Sequence, residues 1–164
     1  MFVTDRCSIQ NSYFFIFMIE IPSLKQKVYD VVRAIYDVHD VLGPGLNESC
    51  YQEGLQVELK DKEIPFVREM TFHPQYRGIP MEATFRVDFI CKDDIVVECK
   101  AVSDITGNHR AQLFNYMRLL KKQCGILVNF YPFSADVERY FYDIETNQII
   151  ATDGHVIYDY NRRK

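Results

Sequence analysis

Apolar residues recur at helical spacing early in the chain. Leu24, Val28, Val31, Val32, Ile35, Val38 and Leu42 fall on one face, as a helix with one buried side requires. Ser23 stands where a capping residue would start that helix, and Gly43-Pro44-Gly45 stops it. A second helical pattern runs from about Asn47 to Lys62, with Tyr51, Leu55 and Leu59 as its buried stripe. Glu48 continues this stripe one turn earlier, and an acid on an apolar face needs a partner or a ligand.

The period then changes. Phe66 to Gln75 and Met81 to Lys92 read as strands joined by the turn Arg77-Gly78-Ile79-Pro80. After a turn at Asp93-Asp94, Ile95 to Val102 reads as a third strand, and the three suggest a meander. Gly107-Asn108 precede a helix to about Lys122, with Leu113, Met117 and Leu120 on one face. Gly125 to Phe130 is a continuous apolar run of the kind found in buried strands. Val137 to Tyr142 reads as another strand, and Asp153-Gly154 centres a hairpin signal between Ile149 and Tyr160. The order is ααβββαββ plus a C-terminal hairpin, an α/β sandwich with a mixed sheet.

The length of 164 residues suits one domain, and a hydrophobic content of 48% can fill its core. We expect the domain to span residues 23–145, with 146–164 a hairpin tail of the same domain and 1–22 an N-terminal extension. The apolar run Tyr13 to Ile19 is too short to span a bilayer. Asp5 and Arg6 cancel and no A-x-A site follows, so a signal peptide is not expected. Translation from Met18 would make the first residues excess. The five cysteines, Cys7, Cys50, Cys91, Cys99 and Cys124, are odd in number and form no CxxC. They suit buried thiols in a reducing, cytoplasmic compartment, and no His or Cys pair follows Cys91 and Cys99 at zinc-finger spacing. The net charge of −4 argues against a protein that binds duplex DNA by charge alone. It argues less against a protein whose carboxylates hold a divalent metal facing the phosphate.

The third strand carries the most informative residues. Side chains alternate along a strand, so Glu98 and Lys100 share one face while Val97, Cys99 and Ala101 share the other. So apolar a strand is expected to be central, where an acid and a lysine cost stability unless they are paired or bind something. Asp88 lies in the preceding strand, an even number of positions from Glu98. A hairpin loop of Lys92 to Asp94 would oppose the two, on one face, with Cβ atoms roughly 5 Å apart. Two carboxylates that close repel unless a proton or a cation lies between them, and a hard divalent cation suits them. Asp88 and Glu98 would hold Mg²⁺ or Mn²⁺, with the Cys99 backbone carbonyl as a third ligand. Metal-assisted phosphodiester hydrolysis would follow, with Lys100 orienting the attacking water or offsetting charge on the phosphate. On spacing alone, a buried salt bridge between Lys100 and one of the acids is an equal reading.

Asp88 followed by Glu98-Cys99-Lys100 resembles the D-x(n)-(D/E)-x-K signature of the PD-(D/E)xK nuclease superfamily. Gly45-Leu46-Asn47-Glu48-Ser49-Cys50-Tyr51 is similar to the motif that names the GxxExxY protein family. Asn108 to Tyr116 and Gly125 to Phe130 also resemble that family, so the likeness spans roughly Leu24 to Tyr142. Val87 stands where the superfamily name has Pro. The resemblance implies a restriction-endonuclease-like sandwich whose mixed central sheet is flanked by helices. It implies that Glu48 lies near the metal, as a ligand or catalytic acid. Gln112 and Tyr116 share a helix face in a QxxxY pattern, which implies a catalytic Gln112 supported by Tyr116. Tyr51 and His109 would support the site from further out, although a plain exposed helix-start residue is the favoured reading of His109.

The leading expectation is thus a metal-dependent nuclease acting on DNA. No sequence-reading module is visible, so specificity would come from shape, ends, or a protein partner or self-association. No membrane role is expected. The main alternative is a non-catalytic nucleic-acid-binding or adaptor protein on the same fold. A weaker third reading, a hydrolase of a small phosphorylated molecule, requires a closed pocket at the acids.

Overall fold

A computed structural model of the chain describes residues 22–162. The expectations for the N-terminal extension, including the Tyr13–Ile19 run, lie outside the described residues. Helix α1 spans Pro22–Leu42 and α2 spans Glu48–Asp61. Pro22 opens α1 at the position where a missing N–H costs nothing. Ser23 therefore falls within the first turn of the helix and not at the position before it. At the other end Gly43, with φ of +68°, closes α1 by donating its N–H to the His39 carbonyl at 2.8 Å. Asn47 caps α2, its side-chain oxygen accepting the Cys50 N–H at 3.0 Å.

Strands β1 (Phe66–Phe72), β4 (Phe85–Cys91) and β5 (Ile95–Lys100) form the expected antiparallel meander. The stretch read as one long strand from Phe66 to Gln75 is broken after Phe72. Pro74 has no N–H for a ladder, and the chain forms a separate two-stranded arm, β2 (Gln75–Tyr76) with β3 (Ile79–Pro80). Helix α3 (Gly107–Leu119) carries the chain across to β6 (Cys124–Asn129), which lies parallel to β5. The helix stops short of Lys122 because Lys121 takes a left-handed conformation, φ +52°. Strands β7 (Asp136–Asp143), β8 (Gln148–Ala151) and β9 (Val156–Asp159) complete a seven-stranded mixed sheet in the order β1-β4-β5-β6-β7-β8-β9. The C-terminal hairpin is thus part of the main sheet.

The sheet is packed on both faces. Val31, Ile35, Val38, Leu55 and Leu59 bury against Phe89, Val97, Cys99, Ile126 and Val128 on one side. Leu113, Phe114 and Met117 of α3 bury against Val87, Val96 and Leu127 on the other. Strand β6 is buried throughout, which explains its unbroken apolar sequence. Gly125 lets α3 approach: a Cβ there would lie 2.3 Å from Met117 Sδ and 3.0 Å from Leu113. Among the described residues no helix is long and apolar enough to cross a membrane.

Candidate metal centre

The hairpin between β4 and β5 sets the site. Its register runs Cys91↔Ile95, Ile90↔Val96 and Phe89↔Val97, which brings Asp88 opposite Glu98. Beyond Phe89 the side chains take over from the ladder. The Asp88 N–H points at Glu98 Oε1 at 3.4 Å, and the Cys99 N–H donates to Asp88 Oδ2 at 2.9 Å. A residue's N–H and C=O leave a strand on the same edge. The Cys99 carbonyl therefore also opens toward Asp88.

A local irregularity on the neighbouring strand accompanies this departure. Strand β1 pairs with β4 through Arg68↔Phe89 and Met70↔Val87, but the intervening pair, Glu69 with Asp88, is skipped. Glu69 has φ of +53°, a left-handed conformation that a non-glycine residue seldom adopts. Phe89 buries under α1 and α2, whereas Val87 buries under α3. A regular strand would put both on one face. The alternation reverses across Asp88, which leaves its carboxyl outside the regular ladder. Nothing in the sequence around Glu69 marks this kink.

The electrostatics are those of two crowded acids beside one cation. Glu98 is 1% exposed, and its Oε2 lies 3.4 Å from Lys100 Nζ. Burial, then the charge of Asp88, pushes the Glu98 pKa up to about 8. Burial also raises Asp88, against the opposing pull of the Cys99 N–H and Lys100. Burial works against the Lys100 charge, but Glu98, Glu48 and Asp88 together outweigh it and hold its pKa above the usual lysine value. Lys100 is thus firmly a cation.

Glu48 reaches the group from α2. It is half-buried, and burial raises its pKa while Lys100 and Asp88 act on it in opposite directions. Tyr51 fixes the loop that starts this helix. Its hydroxyl donates to the Gly43 carbonyl at 2.6 Å and accepts the Leu46 N–H at 3.2 Å, and its ring stacks on Phe130 at 4.6 Å. Gly45 turns the same loop with φ of +96°. The spacing Gly45, Glu48, Tyr51 thus has a mechanical meaning: a left-handed turn, an acid at the helix start, and a ring that ties the turn down. Tyr51 is fully buried, so it touches the site only through the loop it holds.

Helix α3 borders the site through Tyr116, a buried residue whose hydroxyl senses Glu98, Asp88 and Lys100. The Gln112 amide donates to that hydroxyl at 3.1 Å. His109 lies at the start of α3, where its Nδ1 accepts the Thr106 N–H at 3.1 Å, a helix-capping contact. Buried Asn129 is a residue the sequence reading passed over. Its amide mimics a strand partner for Val102, accepting the Val102 N–H at 3.1 Å and donating to the Val102 carbonyl at 2.7 Å. This pins the chain just after Lys100. An Asn ending an apolar run was the available signal.

Among the described residues no three His, Cys, Asp or Glu side chains gather into a group that could hold a metal ion. The donor chemistry still suits a hard divalent cation. Two acids destabilised by burial and by each other gain from a positive charge between them, and the Cys99 carbonyl offers a third oxygen. A cavity of about 340 Å³ lined by Tyr29, Asp30, Arg33, Lys62, Glu63, Ile64 and Lys92 includes none of these residues.

A family model described as the PD-(D/E)XK nuclease superfamily matches residues 25–140. The chain belongs to the PD-(D/E)XK nuclease superfamily. The matched segment runs from α1 into β7 and contains the acid pair, Lys100, Glu48 and all of α3. Its mixed sheet with two preceding helices agrees with a PD-(D/E)XK fold, and the superfamily typically uses divalent metals. Among solved structures, one described as "Crystal structure of SSO0001" is similar with a TM-score of 0.46 and 24% identity, over 61% of this chain. The match spans about half, 50%, of that chain's length. No curated protein matches.

Proposed function

We propose that this PD-(D/E)XK chain is a metal-dependent nuclease that hydrolyses phosphodiester bonds of DNA. The observation that carries the reading is the cross-strand pair of half-buried Asp88 and buried Glu98, next to a lysine and released from the strand ladder. Asp88, Glu98 and the Cys99 carbonyl would hold Mg²⁺ or Mn²⁺. Bound there, the ion would supply a Lewis acid facing the phosphate and lower the pKa of water at the site.

The chain's own groups divide the remaining work. Lys100 stays protonated, so it serves as a hydrogen-bond donor to the attacking water or to a phosphate oxygen and not as a base. Glu48, with its raised proton affinity, orients that water or accepts its proton from the α2 side. Gln112 and Tyr116 hold the α3 wall of the site through their mutual hydrogen bond. The finer placement in the GxxExxY family rests on Gly45, Glu48 and Tyr51. Buried thiols at Cys91, Cys99 and Cys124 support a cytoplasmic setting.

The test is cleavage of labelled single- and double-stranded DNA with Mn²⁺. Asp88→Ala and Lys100→Ala should each lower the rate by about a hundredfold or more, with folding checked by thermal melting. Cleavage undiminished in Asp88→Ala would refute the reading. One observation favours a second reading, a non-catalytic nucleic-acid-binding protein: the Lys100–Glu98 ion pair already satisfies part of the buried charge. Wild-type protein that binds DNA but never cleaves it would support that alternative.

A further inference from the structure

The β2–β3 arm and the strand end beneath it take no part in the chemistry proposed above. Phe72 and Phe85 are cross-strand partners at the end of the β1–β4 ladder, with ring centroids 5.8 Å apart. Both meet Tyr116 edge-on, at 5.8 and 6.1 Å. Because β4 and β5 are antiparallel, Phe85 lies at the same end of the sheet as Glu98 and Lys100. Phe85 precedes Asp88 by about 10 Å of extended strand. A row of aromatic rings therefore starts beside the acids and leads outward.

The arm, inserted between the end of β1 and the start of β4, adds further exposed apolar side chains. Tyr76 is 63% exposed, Ile79 69%, Met81 41% and Phe85 38%. The arm turns at Arg77-Gly78, with φ of +51° and +80°, the geometry of a tight two-residue hairpin. The Arg77 guanidinium sits over the Tyr76 ring at 5.4 Å. From His73 to Arg86 the chain carries Arg77 and Arg86 against Glu82 alone, while the whole chain has a net charge of −4. Arg86 is paired with Glu69 at 3.6 Å, but both side chains are about half exposed or more, so the pairing is weak. Exposed rings interleaved with cations are what sequence-tolerant single-strand binding uses, because an unpaired base offers its face and a stacked duplex base does not.

We infer that the β2–β3 arm binds single-stranded nucleic acid, stacking unpaired bases on Tyr76 and Phe85 and holding phosphates at Arg77 and Arg86. The strand is thereby led to the Asp88–Glu98 pair. The inference takes its ligand class from the nuclease reading but makes a separate claim about binding.

Fluorescence anisotropy in EDTA, with a dye-labelled oligothymidine and a labelled duplex, tests it on the full chain. The wild type should bind the single strand more tightly than the duplex. Tyr76→Ala and Arg77→Ala should each weaken single-strand binding about tenfold, with melting temperatures unchanged because both side chains are exposed. Arg77→Ala should also flatten the salt dependence by about one unit of slope. Unchanged affinity in Tyr76→Ala, a duplex preference, or no binding by the wild type would overturn the inference. So would loss of a dimer in Tyr76→Ala by ultracentrifugation with strand binding intact, which would make the arm a self-association surface. Arm-dependent binding without any cleavage would leave the inference standing and remove the nuclease reading. Cleavage sensitive to Asp88→Ala but indifferent to the arm variants would do the reverse.

Discussion

At the residue scale, Glu98 and Glu69 bear the strain of the site. Glu98 holds its proton up to about 8, against an ordinary value of 4.5. Between those pH values the folded chain keeps a proton that the unfolded chain has released, so stability falls as pH rises through the window and levels off above about 8. Thermal melts in EDTA should show this fall in wild type and much less of it in Glu98→Gln. An identical fall in both would show that Glu98 is not its source. Adding Mg²⁺ or Mn²⁺ at pH 7 should displace the proton. Titrations in buffers of different ionisation enthalpy should therefore report proton release that Glu98→Gln lacks. Glu69 is strained by its left-handed backbone. Glu69→Gly should be tolerated, whereas β-branched Glu69→Val should destabilise by about 1–2 kcal/mol, measured by urea unfolding. The opposition of Asp88 and Glu98 was legible in the sequence because their even spacing and a three-residue turn set the register, whereas the reversal of faces at Asp88 was not. The Glu69 kink was not legible, because it depends on tertiary placement and Glu carries no signal for positive φ.

At the element scale, the start of α2 controls where Glu48 points. Asn47→Ala removes the cap on the Cys50 N–H and should cost about 1 kcal/mol. Tyr51→Phe keeps the stack on Phe130 but leaves the Gly43 carbonyl and Leu46 N–H without their shared hydroxyl, and should cost about 1–2 kcal/mol. Both should lower cleavage more than stability alone explains, if Glu48 acts as proposed. Gly125→Val should force α3 off β6 and cost about 1–3 kcal/mol in denaturant titrations. The helices were legible from their apolar stripes, and β6 from its unbroken apolar run. Their ends were less so. Lys121 ends α3 through its backbone conformation, and Pro74 splits what alternation alone read as one strand.

At the scale of the whole molecule, the negative net charge is compatible with the proposed nuclease activity because of where charge lies. Asp88 and Glu98 are two of the acids, which a cation would neutralise, and the exposed stretch from His73 to Arg86 carries two arginines against one glutamate. The mixed sheet and its flanking helices were readable from element order, since alternating β and α segments leave few ways to pack. The arm was not readable, because turn residues look alike whether a hairpin packs down or projects.

The central claim is that Asp88 and Glu98 together form a cation site. Calorimetric titration of Mn²⁺ into folded wild type and Asp88→Ala tests it most directly. The account predicts saturable binding in wild type that is abolished in Asp88→Ala. Equal binding in both, or none in wild type, would contradict it and leave Asp88, Glu98 and Lys100 as a buried ion network.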